Sequence, residues 1–316
     1  MQKFLFNYMF NKLSLVKGQK LLLNYLQFMH KLQVLNKLYP KGSPTPINLM
    51  DMHFINRVGI GAGLDINGES IASLIQLDVG FVEFGPVSPM AQMGTPNLKP
   101  ARGHNNLIID GLNPNLGVEN LVANLSRAPK NNIVRGVEII KGNYTPDEHI
   151  LTDLQYSMLK LVGYVDYVLC SLPPIFLEDL TKANAFLKAL KATQKNLKKN
   201  NNYYLALVLK ITATLDVTKI KKLAELLKKN KIDAVVACAP RFIDEHSADK
   251  ICGQSIKVSS EQSLNILYEC LAGSIPIIAS GGVLTSQDIK KRIQSGADLV
   301  KIFSGLFFTG PAILAK

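Results

Sequence analysis

Two neighbours in "VLCSLPP" (168–174), Cys170 and Ser171, close a nearly all-apolar run, and each could accept a proton. One reading is a catalytic base at the mouth of a barrel; the other is a small polar step from a buried strand into a loop. A second chemical signal is a pair of glycine turns, "ASGG" (279–282) and "IFSG" (302–305). Glycines there let backbone N–H groups approach an anion closely, and a helix start at Thr285 adds its positive end. Tight turns use glycine as well, so the weight lies in finding two such turns at related places. The four cysteines, Cys170, Cys238, Cys252 and Cys270, show no CxxC pairing. That spacing argues against a disulfide framework or a metal centre and for a reducing compartment.

Such groups need a scaffold that brings distant strand ends together. A chain of 316 residues with 47% hydrophobic residues can bury one large core. Eight short apolar runs recur: "RVGIGAG" (57–63), "GFVEFG" (80–85), "RGVEII" (135–140), "YVDYVLC" (164–170), "YLALVLKI" (204–211), "DAVVACA" (233–239), "IPIIAS" (275–280) and "DLVKIFS" (298–304). Helical patterns separate them, among them "LEDLTKANAFLKALKATQKNL" and "TSQDIKKRIQS". Strands alternating with helices predict a parallel sheet, and the count of eight predicts an α/β fold of the (β/α)8 TIM barrel type. In that fold the chemistry gathers at the carboxyl ends of the strands, with phosphate after strands seven and eight. The two glycine turns fall at those ends.

The N-terminus has a different character. Residues 1–50 hold Lys3, Lys12, Lys17, Lys20, Lys31, Lys37 and Lys41, with no arginine and no acid before Asp51. Leu22, Tyr25, Leu26, Met29 and Leu32 fall at helical spacing. No apolar run approaches the roughly 20 residues that span a bilayer. Residues 1–40 are therefore read as an amphipathic helical extension, either lying on an anionic membrane or docked as an ordinary helix with a solvated face. A cleaved presequence is weakened by the missing arginines. "YPKGSPTP" (39–46) breaks the pattern, so 41–50 reads as the linker and start of the barrel and 51–316 as the barrel itself. The net charge of +12 is spread over scattered lysines without an aromatic-basic stripe, which argues against a nucleic-acid partner.

"PINLMDMHFINRVGIGAGLDINGESI" (46–71), "GFVEFGPVSP" (80–89), "NLGVENLVANL" (115–125) and "IIASGGVLTSQDIKKRIQSGADLVKIFSGLFFTGPAIL" (277–314) carry a resemblance. The chain is similar to the class 2 dihydroorotate dehydrogenases over almost its whole length. The resemblance implies a (β/α)8 barrel that binds FMN and passes electrons from dihydroorotate to a quinone, in pyrimidine biosynthesis. It also implies a peripheral place on a bacterial inner membrane, or on the mitochondrial inner membrane in a eukaryote, with the N-terminal helices forming a quinone tunnel. For cofactor binding it implies Ala62, Gly63, Leu64 and Asp65 in "AGLD", Lys210 on strand five, and Gly281, Gly282, Phe303, Ser304 and Gly305 at the phosphate end. A strand-embedded lysine is costly without an anionic partner, which supports that role for Lys210; a lysine snorkelling to solvent is the competing reading.

The resemblance further implies Ser171 as the base, Asn115 as a substrate contact and Arg102 on the quinone side. The register favours Ser171 over Cys170, whose side chain would turn to the other face. The substrate half departs from the family. Ile66 stands where the family has a lysine, Pro86 where it has a threonine, and Val168 and Pro173 where it has asparagines. Cys238 to Arg241 replace a further asparagine, and Glu138 puts an acid where a flavin ring would meet a neutral partner. Each lost polar contact costs about 1–3 kcal/mol. Arg241 and Lys141 are the cations that could restore a charge. Three readings stay open: a dihydroorotate:quinone oxidoreductase with a rebuilt pocket, a flavoprotein with another small substrate, and a degenerate homologue that keeps the barrel as a non-catalytic scaffold.

Overall fold

A computed structural model describes residues 15–39, 44–94, 98–101, 105–109, 114–129, 131–172, 176, 179–212, 216–243 and 249–314. Eight parallel strands close into a barrel: β1 (Val58–Ile60), β2 (Phe81–Val87), β3 (Val134–Ile139), β4 (Tyr167–Ser171), β5 (Ala206–Thr212), β6 (Ala234–Ala239), β7 (Ile277–Ala279) and β8 (Leu299–Ile302). They pair in chain order, and β8 returns to β1 through Val300 beside Val58. The fold is a (β/α)8 TIM barrel, and each of its strands lies within or overlaps one of the eight apolar runs.

The alternation of a strand separates two apolar layers. Val168, Cys170, Leu207, Leu209, Val235 and Ala237 face the helices, whereas Phe81, Val134, Tyr167, Leu169, Val208, Val236, Ile278 and Leu299 fill the barrel interior. Glycine makes room for the aromatic members of that filling. A Cβ on Gly59 would lie 2.4 Å from the Phe81 ring, and one on Gly136 would lie 2.2 Å from the Tyr167 ring. A hairpin of Ile47–Leu49 with Met52–Phe54 closes the amino-terminal end. Its turn residues Met50 and Asp51 both have positive φ, the geometry that matches strand twist in a two-residue hairpin. Phe54 packs edge-on against Phe81 with the ring centroids 5.8 Å apart.

At the opposite mouth an antiparallel four-stranded sheet forms a cap from two separate loops. Leu98–Ala101 pairs with Asn106–Ile109, which pairs with Lys250–Gly253 and then Arg241–Phe242. Sequence patterning did not anticipate this sheet, because its strands are short and lie inside loops.

Helix α1 (Leu15–Lys31) is the described part of the N-terminal extension. It buries Leu22 and Leu26 against the barrel domain, while Leu21 and Phe28, and Leu32 in the turn that follows, stand exposed. These three, at i, i+7 and i+11, share one face. A short helix, Leu35–Leu38, follows, and the Tyr25 and Tyr39 hydroxyls lie 3.2 Å apart. The apolar stretch "FLFNYMF" lies outside the described residues, and among those described no helix is long and apolar enough to cross a membrane. Helix α2 (Ser286–Gln294) begins where the sequence predicts: Thr285 is its N-cap, and Thr285 and Asp288 form a reciprocal capping box.

Candidate active site

The carboxyl ends of β1, β7 and β8 form the glycine-rich side of the mouth. Gly281 and Gly282 both have positive φ, which an L side chain adopts only with strain. A Cβ on Gly282 would lie 2.6 Å from Lys257 Cα, and one on Gly305 would lie 2.5 Å from the Val283 carbonyl oxygen. The cradle is therefore built for bare backbone. Beneath it lies the buried Arg292 guanidinium, which donates to the carbonyls of Gly281 at 2.9 Å and Lys257 at 3.2 Å. Ser260 Oγ donates to the same Gly281 oxygen at 2.9 Å.

The "AGLD" segment sits beside this cradle. Gly63 has positive φ, and a Cβ there would be 2.9 Å from the Phe303 ring, so Gly63 and Phe303 face one another across the strand ends. Helix α1 reaches this loop directly: Gln19 Nε2 donates to the carbonyls of Gly63 at 2.9 Å and Leu64 at 2.7 Å. Asp65 accepts from the backbone N–H groups of Glu69 and Ser70 at 2.9 and 2.8 Å. Burial raises its carboxyl to about 6, although these two hydrogen bonds pull the other way.

Across the mouth, β3 and β5 bring charged residues into the barrel. Lys210 Nζ donates to both Glu138 oxygens, at 2.7 and 2.9 Å, spanning β4 between them. Burial opposes ionisation of Glu138, yet the Lys210 and Lys301 ammonium groups hold its carboxyl below the usual range. One layer deeper, Lys301 Nζ donates to Glu83 Oε2 at 2.6 Å, and Tyr167 donates its hydroxyl to Glu83 Oε1 at 3.0 Å. The Ala62 N–H also donates to Glu83 at 3.2 Å, tying the "AGLD" loop to this buried pair. Lys250 of the cap sheet adds a third ammonium close enough to feel both Lys210 and Glu138.

Ser171 lies beside Lys210 as its strand partner and is exposed at the end of β4. It follows Leu169 on the inward face, so it presents its hydroxyl at the mouth. Cys170 belongs to the outer layer, and burial, then the neighbouring Glu138, pushes its thiol up to about 12. Cys170 is buried among the helices and Ser171 stands at the mouth, so of the opening pair Ser171 is the one the fold presents.

Other predicted residues are placed elsewhere. Asn115 is buried and braces a loop: its Oδ1 accepts from the N–H groups of Gly117 at 2.9 Å and Ser88 at 3.3 Å, and its Nδ2 donates to Ser88 Oγ at 3.0 Å. Lys141 is turned to Thr145 O at 2.7 Å and Asp147 at 3.3 Å, and Arg241 is exposed on the cap. Arg102 lies outside the described residues. Glu83, Lys301, Tyr167 and Arg292 were not singled out from the sequence. The signal was present for Glu83 and Lys301, which interrupt the otherwise apolar runs "GFVEFG" and "LVKIF" at inward positions.

This constellation can be set beside known proteins. The dihydroorotate dehydrogenase family model matches residues 46–316. The chain belongs to that family. A dihydroorotate dehydrogenase (quinone) of Saccharophagus degradans is 31% identical over 334 aligned positions, covering 100% of this chain and 97% of the relative. One of Nitrosomonas eutropha is 32% identical, covering 86% and 84%. Among solved structures, a ligand-free DHODH of Eimeria tenella superposes with a TM-score of 0.78 at 20% identity, covering 93% of this chain and 91% of that one. Its complex with ferulenol gives 0.77 at the same identity, with coverages of 91% and 88%. Those two establish the shared barrel.

Dihydroorotate dehydrogenase relatives imply a flavin, and the two ends of the mouth differ in how they suit FMN. The glycine end suits a phosphate: Gly281, Gly282 and Gly305 pack so closely on Cys238, Lys257 and Val283 that no side chain can stand there, which leaves two turns of bare backbone at the ends of β7 and β8. At the ring end a flavin would meet the Lys210–Glu138 ion pair in place of a lone ammonium.

Proposed function

We propose that this chain is an FMN-binding dihydroorotate:quinone oxidoreductase with a rebuilt substrate half. The observation that carries the reading is the glycine cradle at the ends of β7 and β8, joined to the Gly63–Phe303 contact at the end of β1. Gly281, Gly282, Ser304 and Gly305 would take the phosphate, and the 62–65 loop would lie along the flavin. FMN, when bound, supplies the two-electron acceptor. Ser171 would take a proton from dihydroorotate beside the Lys210–Glu138 pair. A serine is a weak base without assistance, so turnover depends on its surroundings.

Quinone would enter beneath the N-terminal helices. In support, Gln19 couples α1 to the 63–64 backbone, and the exposed Leu21, Phe28 and Leu32 give that helix a lipid-compatible face flanked by Lys20, Lys31 and Lys37. On this reading the protein is peripheral to a membrane.

A second reading is favoured by one observation, the Lys210–Glu138 ion pair. A barrel that satisfies its own ring-side cation, and that carries Ile66 in place of a lysine, also suits a homologue that retains the scaffold without the reaction. The two readings part on the cofactor content of purified protein. One FMN per chain supports the first, and a colourless protein that takes up no added FMN removes it.

A further inference from the structure

The charges at the mouth are not evenly matched. Glu138, buried at 7% exposure, faces Lys210 directly and lies within electrostatic reach of Lys301 and Lys250. Glu83, the other buried acid of this cluster, lies deeper and is engaged with Lys301, Tyr167 and the Ala62 N–H. Glu138 is thus the carboxylate that pairs Lys210, and it does so from β3, reaching over β4 to β5. Both of its oxygens accept from one ammonium, the arrangement a bound anion would otherwise adopt. Charge-assisted pairs of this kind are stronger than neutral hydrogen bonds. That pairing takes the Lys210 charge out of reach of a ligand, while Lys250 adds a further ammonium to the same layer.

We propose that Glu138 is a built-in competitor for Lys210 and the residue that sets which ligands the mouth accepts. A ligand group that carries negative charge reaches Lys210 only by displacing the Glu138 carboxylate, whereas a neutral group with an N–H to donate can bond to Glu138 and leave the pair in place. At the Lys210 position, and there alone, the pair weighs against anionic groups and for neutral hydrogen-bond donors. The inference deepens the flavin reading above and rests on it for its choice of probe.

The test uses the full chain and three variants, Glu138→Gln, Glu138→Asp and the double variant Glu138→Gln/Lys210→Gln. Each is titrated with FMN by quenching of flavin fluorescence, and Lys210 is followed separately by its rate of amine-selective labelling in mass spectrometry. Releasing a charge-assisted pair corresponds to about tenfold to hundredfold in affinity. Glu138→Gln should therefore bind FMN at least about tenfold more tightly than the parent and label faster at Lys210. Glu138→Asp, which keeps the charge balance and only lengthens the pair, should fall between, and the double variant should lose the gain. Equal or weaker FMN binding by both single variants, or unchanged Lys210 labelling, overturns the inference. Faster labelling in Glu138→Gln with no FMN binding by any protein upholds the Lys210–Glu138 competition and removes the flavin reading instead.

Discussion

Lys301 Nζ lies 2.6 Å from Glu83 Oε2 inside the barrel, where both side chains are almost fully removed from solvent. Each ion has lost its hydration, and each is tolerated because the other is present. Removing one partner strands the other, so Lys301→Met should destabilise the fold by about 3–5 kcal/mol. Adding Glu83→Gln to Lys301→Met should recover a large part of that loss, because no ion is left buried. Urea unfolding of the parent, the single and the double variant checks this. A single variant as stable as the parent would mean that water reaches the pair.

Asp65 gives a pH dependence with a defined sign. Its folded-state value of about 6 lies above the ordinary 3.8, so the folded chain holds this proton more tightly than the unfolded chain. The stabilisation is complete below about pH 3.8 and is lost as pH rises through about 6, amounting to about 3 kcal/mol across the window. Asp65→Asn removes this titration. The difference in unfolding free energy, parent minus variant, should therefore fall between pH 4 and 6 and stay flat above 7. A difference that does not change with pH would show Asp65 to be solvated.

Asn115 should behave as a brace. With two backbone N–H groups and Ser88 on its amide, Asn115→Ala should cost about 1–3 kcal/mol of stability. An asparagine serving only as a substrate contact would leave the unfolding midpoint unmoved.

Ser171 should show the reverse pattern. Its side chain is exposed and fills no core, so Ser171→Ala should unfold at the same urea concentration as the parent. If it is the base, dihydroorotate oxidation should drop by about 10²–10⁴-fold, the range for losing a positioned acid–base group. Activity within a few-fold of the parent would move the proton acceptor elsewhere.

The exposed face of α1 predicts lipid binding. Phe28→Asp combined with Leu32→Asp removes two apolar side chains and adds negative charge among Lys20, Lys31 and Lys37. Co-sedimentation with vesicles containing an anionic lipid should fall severalfold. Equal sedimentation would place any membrane contact outside this helix.

The barrel was legible because its strands are short, apolar and regularly interrupted, and because β7 and β8 end in glycine turns. The helix start at Thr285 was legible from local capping chemistry. Ser171 and Cys170 could be told apart once the strand period fixed which side chain faces inward. Other features depend on contacts between residues far apart in the chain. Whether Lys210 meets a ligand or Glu138 is settled by a pairing across β4, 72 positions away in sequence, and no local pattern reports it. Asn115 reads as a substrate contact by its position, and its bonds to Ser88 and Gly117 become visible only in the folded chain. The cap sheet escaped notice because four strands of two to four residues, drawn from separate loops, carry too little periodicity.

The account turns on whether the mouth holds FMN and lets dihydroorotate reduce it. Purified full-length protein, saturated with FMN and freed of excess, should be mixed anaerobically with millimolar dihydroorotate while flavin absorbance near 450 nm is followed. The account predicts that the bound-flavin band bleaches, and more slowly in Ser171→Ala. A stable yellow complex that does not bleach, or a protein that leaves the column colourless, would contradict it.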